Sequence, residues 1–128
     1  MTDYINDPMG RRDPRLGPTQ NVCRDLGDDH RARKQTPITT GVLDYFPLAL
    51  AAIARVSKAG NDQHNPGEPL HWSRGKSSDH ADCIARHLIG RGMLDLDGES
   101  HTAKLAWRVL ALLQEEEEAR IGFTPAEG

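Results

Sequence analysis

Apolar positions recur at helical spacing in three stretches of the chain. In the first, VLDYFPLALAAIARVSK, the residues Leu43, Phe46, Leu50, Ile53 and Val56 share one face, which predicts a helix over 43–58. Pro47 fits it only in the first turn, Thr39, Thr40 or Asp44 can cap it, and Gly60 stands where a helix commonly stops. The second begins after the good N-caps Ser77 and Ser78 and runs over 79–88. Its wheel puts Ala81, Ile84, Ala85 and Leu88 on one side, expected to be buried. Asp79, Asp82, Cys83 and Arg86 fall on the other, which turns two carboxylates one turn apart toward whatever faces the helix. The third runs from the cap Ser100 to 118. Its leucines, Val109 and Ala106 cover an arc of about 160°, too wide for one shallow contact.

Between the first two helices, residues 61–75 read as a long loop, and a loop of that length in a compact domain is usually functional or disordered. It holds Asn61, His64, Asn65, Trp72 and Arg74, side chains able to contact a base or a sugar. Residues 1–38, broken by prolines, read as an extended or partly disordered arm, and 119–128 as a disordered acidic tail. Residues 39–118 then form the domain. The fold class that follows is all-α: a small helical bundle of three main helices with an N-terminal arm, completed by oligomerisation. Three short helices cannot cover the arc on the last one, so a homo-oligomer, a dimer or tetramer, is expected to close it.

Hydrophobic content of 37% and aromatic content of 5% fit a small core. The net charge of -3 makes no case for nucleic acid, and no apolar run reaches the ~20 residues of a membrane span. Cys23 and Cys83 form no framework, so a reduced, cytoplasmic protein is expected.

Gly75-Lys76-Ser77 resembles the end of a phosphate-binding loop, but Leu70 stands where its first glycine belongs. Lys76 at a helix N-terminus is still a favourable place for phosphate. Asp95 and Asp97 lie in a turn whose spacing does not make a calcium loop. His80 and His87, seven apart, lack a tetrahedral zinc set and suit packing or hydrogen bonding better. Acids in a helix's first turn are common because they complement its dipole. What favours chemistry at Asp79 and Asp82 is their company: Lys76, Arg86, and the stripe His101, Lys104, Arg108 on the last helix. Asp79 and Asp82 are thus the candidate ligands for Mg²⁺ or Mn²⁺, with Lys76, Arg86, Lys104 and Arg108 placed to neutralise phosphate charge.

The run NPGEPLHW, GKS, DHAD and RHL, followed by HTAKLAWRVLALL, resembles the phage-encoded MazZ-type dATP/dGTP diphosphohydrolases. Those are small relatives of the MazG/HisE all-α nucleoside triphosphate pyrophosphatases, and the resemblance spans about residues 36–114. It implies a helical oligomer that uses divalent metal to cleave between the α- and β-phosphates. In a phage setting it implies dGTP to dGMP, feeding synthesis of 2-aminoadenine nucleotides in the host cytoplasm. The wider MazG pattern joins ExxE to a later ExxD. Asp79-x-x-Asp82 matches the second half, while the first helix offers Ala51, Ala52 and Arg55 and no acid. Asn61-x-x-His64, Asp95, Asp97 or a partner subunit's acids are the alternatives for that place. A helical interaction module, or a nucleotide-binding protein without catalysis, are the competing readings.

Overall fold

Pro47 sets where the first long helix begins. A computed structural model of the protein describes residues 30–76 and 78–123, without the side chain of Lys76. Most of the expected arm (1–29, with Cys23), Ser77, the Lys76 ammonium and the last five residues lie outside the described residues. A short helix α1 (His30–Lys34) precedes a π turn at Thr39–Leu43. That turn takes up the residues expected to cap the next helix, so α2 (Pro47–His64) starts with Pro47 at its first position. A proline there removes an amide that had no helical partner in any case.

The expected stop at Gly60 does not occur. α2 continues one further turn because tertiary partners hold it: the buried Asn61 donates from Nδ2 to the Glu68 carbonyl at 3.1 Å. The Asn65 amide returns to the Asn61 carbonyl at 2.8 Å. The loop therefore begins at Asn65, and Asn61 and His64 are helical residues. It turns at Gly67, whose φ of +80° suits glycine, and includes a 3-10 turn at Arg74–Lys76.

Helix α3 (His80–Ile89) and helix α4 (His101–Ile121) complete the architecture, with α4 packed against both α2 and α3. The result is all-α, and among the described residues strand pairing is limited to one bridge, Leu94 to Ser100. No single helix among them is long and apolar enough to cross a membrane. Ser100 caps α4 as its sequence predicts, its Oγ accepting the Ala103 amide at 3.1 Å.

The inward side of α3 carries His80, Cys83 and His87, while Ala81, Ala85 and Leu88 are exposed and Ile84 is half-buried. The physical reason is partner chemistry: both ring nitrogens of the buried His80, and Nδ1 of the half-buried His87, meet polar groups of α4. The run 115–118 places four glutamates against the dipole at the end of α4, yet the helix continues through it. Glu118 is buried against Arg74, and the helix runs on to Ile121, where Gly122 at φ +74° closes it. Helix α4 thus extends past residue 118.

Among the described residues the outright-buried apolar ones are Cys83, Ala103 and Ala111. Leu88, Ile89, Val109, Leu110 and Leu113 stand exposed on α3 and α4, with Tyr45, Phe46 and Leu48 at the start of α2.

Candidate active site

The three long helices leave a cleft of about 580 Å³. The last turns of α2 bring Asn61, His64 and Asn65 to it; α3 brings His80 and His87; α4 brings Lys104, Trp107 and Arg108. The loop adds His71 and Trp72, and the turn before α4 adds Asp97 and Glu99. Lys104 and Arg108 share this wall because they lie four apart on one helix.

Several of these groups are held by a partner. Arg108 Nη1 donates to His80 Nδ1 at 3.2 Å, so His80 Nε2 carries the proton and reaches Glu115 Oε1 at 3.3 Å. His80 is 6% exposed, and this relay through three residues fixes the direction of the guanidinium. Trp72 and Trp107 meet edge to face with centroids 5.9 Å apart. Arg74 lies 3.9 Å over the Trp72 ring and donates to Glu118 Oε1 at 2.7 Å. Arg74 does not line the cleft: it ties the loop to α4 and covers one face of the ring expected to stack on a base. The Glu118 carboxyl titrates below its usual range, since the bonds from Arg74 and Gln114 outweigh the upward push of burial.

A second cluster sits where the turn meets the N-terminus of α4. Leu94 to Ser100 folds back on itself, with the Asp95 amide on the Glu99 carbonyl at 2.7 Å. This brings Asp95 Oδ2 and Asp97 Oδ2 each to 2.7 Å from the Lys104 ammonium. The bond from Lys104 lowers the Asp95 carboxyl to about 2, and the Asp97 carboxyl falls for the same reason. Burial pulls the Lys104 ammonium down, but the two carboxylates outweigh it and leave it raised. Beside them His87 Nδ1 lies 3.0 Å from His101 Nδ1, and His101 Nε2 lies 3.9 Å from Asp95 Oδ1. Burial first, then the neighbouring His101 and Lys104, push His87 toward its neutral form. Gly90 makes the approach possible: a Cβ there would stand 2.8 Å from the His101 ring.

His87, His101 and Asp95 each bring one potential ligand atom to a common place, all within 4.8 Å of one another, close enough to share a metal ion. Two imidazole nitrogens at about 2.1 Å from one ion, at a right angle, lie about 3.0 Å apart. The sequence reading missed this group because its members are far apart along the chain. Asp95 and Asp97 were singled out, and His101 was placed only in a basic stripe.

Asp79 and Asp82, the acids expected to hold metal, stand exposed at the start of α3 and do not line this cleft. Nor does Arg86, whose guanidinium rests on Cys83 Sγ at 3.1 Å. The same reversal of α3 that brings the histidines inward carries these three away.

No curated protein and no solved structure matches the chain. A family model, dATP/dGTP diphosphohydrolase, N-terminal, matches residues 28–122, which takes in the four described helices and every residue of the cleft. The chain therefore belongs to the dATP/dGTP diphosphohydrolase N-terminal family.

Proposed function

We propose that the protein is a metal-dependent purine deoxynucleoside triphosphate diphosphohydrolase, acting on dGTP to give dGMP and diphosphate in the 2-aminoadenine nucleotide chemistry of a phage. The observation that carries this reading is the polarity of the cleft. One wall presents the cations Lys104 and Arg108, and another the amides and imidazole of Asn61, Asn65 and His64. Triphosphate lies along the first and a purine edge meets the second, with the Trp107 and Trp72 rings between them.

The family implies a divalent metal, Mg²⁺ or Mn²⁺ in the reading from sequence, and His87, His101 and Asp95 would hold it. Bound there, it would neutralise phosphate oxygens and lower the pKa of a water. Arg108, kept in direction by His80 and Glu115, meets charge that grows on the phosphates as the bond breaks. Glu99 lines the cleft and has no cation partner among the described residues, which suits it to take a proton. Water adds to the α-phosphorus, its proton passes to Glu99, the bond from that phosphorus to the α–β bridging oxygen breaks, and diphosphate leaves.

The functional unit is a homo-oligomer. Three outright-buried apolar residues among those described are a small core, and the exposed leucines of α3 and α4 form the surface a second copy would cover. The outward Asp79 and Asp82 can then serve a neighbouring copy's cleft, with Arg86 and Lys76 nearby in the chain.

The test is incubation with each of the four dNTPs and Mn²⁺, followed by ion-exchange separation of products. dGMP with diphosphate is expected; nucleoside with triphosphate, or no turnover, overturns the reading. In the same assay Asp82→Asn is expected to slow turnover, and wild-type rates would remove the pair from the site.

A further inference from the structure

We infer that Lys104 is the resident cation of a divalent-metal site formed by His87, His101 and Asp95, and that metal entry releases its ammonium from the Asp95–Asp97 pair into the cleft. The inference rests on the proposed hydrolase activity only for what the released ammonium would meet.

The Asp95 carboxylate is the shared group. Its Oδ2 holds Lys104 at 2.7 Å, and its Oδ1 faces the His101 ring. A doubly charged ion on the histidine side and an ammonium on the other side of one carboxylate repel each other at close range. Lys104 is the partner able to move. Its charge sits at the end of a four-carbon stem, the residue already lines the cleft, and its side chain is 20% exposed. The acids stay in place without it. Asp95 Oδ1 takes the Leu96 amide at 2.7 Å and Asp97 Oδ1 the Glu99 amide at 3.0 Å. Gly98, at φ +84°, completes the turn. Two carboxylates against one ammonium leave a net negative charge beside two imidazole nitrogens, which is a receptor for further positive charge.

The donor set also selects the ion. Two imidazoles and one carboxylate suit Mn²⁺, Co²⁺ or Zn²⁺, while Mg²⁺ favours oxygen ligands and keeps its water. The space for the site is built in, because His101 lies where a side chain at 90 would be.

The experiment is calorimetric titration of the full chain with Mn²⁺ in the absence of nucleotide, repeated with equimolar Mg²⁺ present. One Mn²⁺ per chain is expected, undiminished by equimolar Mg²⁺. His87→Ala should weaken binding at least ten-fold, and Lys104→Met should tighten it at least ten-fold. Lys104→Gln serves as the second variant, and circular dichroism checks that each is folded. Unchanged or weaker Mn²⁺ binding in both Lys104 variants overturns the displacement, and full binding by His87→Ala overturns the site. Absence of Mn²⁺ binding to the wild type overturns both. Metal exchange without dNTP cleavage would refute the hydrolase reading and leave this one intact.

Discussion

Glu118→Gln isolates the tie between the loop and α4. The substitution keeps the size of the side chain and removes its charge, leaving the Arg74 guanidinium facing a neutral amide. Side-chain exposures of 12% for Arg74 and 5% for Glu118 put the pair out of most of the solvent. Removing one partner of a fully buried pair costs roughly 3–5 kcal/mol, because the other charge stays desolvated. Arg74 retains some water and its contact with Trp72, so about 2–3 kcal/mol is expected here. In a domain of this size that lowers Tm by roughly 10–20 °C. The internal control is Glu117→Gln. Glu117 meets Arg120 at the same 2.7 Å, but with side chains 53% and 67% exposed. That pair is worth at most about 1 kcal/mol, since water and salt screen it. Urea unfolding followed by circular dichroism compares the two. A double replacement, Arg74→Met with Glu118→Met, should recover much of the loss. Equal destabilisation by Glu117→Gln and Glu118→Gln would refute the reasoning, since distance and not burial would then set the cost.

Acid should loosen the protein in a defined window. The carboxyls of Asp95 and Glu118 are lower in the folded chain than their ordinary 3.8 and 4.5, so their stabilisation is full above those values and is lost as pH falls, toward about 2 for Asp95. At the other end Lys104 is raised above 10.5, and its contribution goes only as pH rises past that value. Urea midpoints measured from pH 7 down to 2 should hold level and then fall below about pH 4.5; a fall already complete by pH 5 would contradict this. Gly90→Ala should cost about 1–3 kcal/mol by overpacking against His101, and weaken Mn²⁺ binding with it. Wild-type metal affinity in a folded Gly90→Ala protein would show that the ring position is not needed. Sedimentation at micromolar concentration should find a dimer or tetramer, and Leu110→Glu on the exposed side of α4 should dissociate it. An active 14.1 kDa monomer would end the oligomer reading.

Local chemistry made much of this protein legible in its sequence. Period located three helices, and a cap, Ser100, the start of the last; the first two begin after Phe46 and Asp79 without the expected side-chain caps. Spacing on that helix put Lys104 and Arg108 on one stripe, and both line the cleft. The residues between the first two helices were legible as rich in binding chemistry, and Asn61, His64, Asn65 and Trp72 do border it. What the tertiary structure decided were the places where a partner from another element outweighs a local rule. Gly60 is a stop by itself, but Asn61 finds the Glu68 carbonyl and the helix continues. Four glutamates oppose a helix dipole, but one of them meets Arg74 from a loop 44 residues away. On α3 an apolar count turns Ala81, Ala85 and Leu88 inward. His80 and His87 take that place because Arg108 and Glu115 meet both nitrogens of the first and His101 meets Nδ1 of the second. The His87 and His101 rings, fourteen residues apart, meet only once α3 and α4 pack. Periodicity records which side chains avoid water; it carries no record of which polar ones will find a partner on another helix.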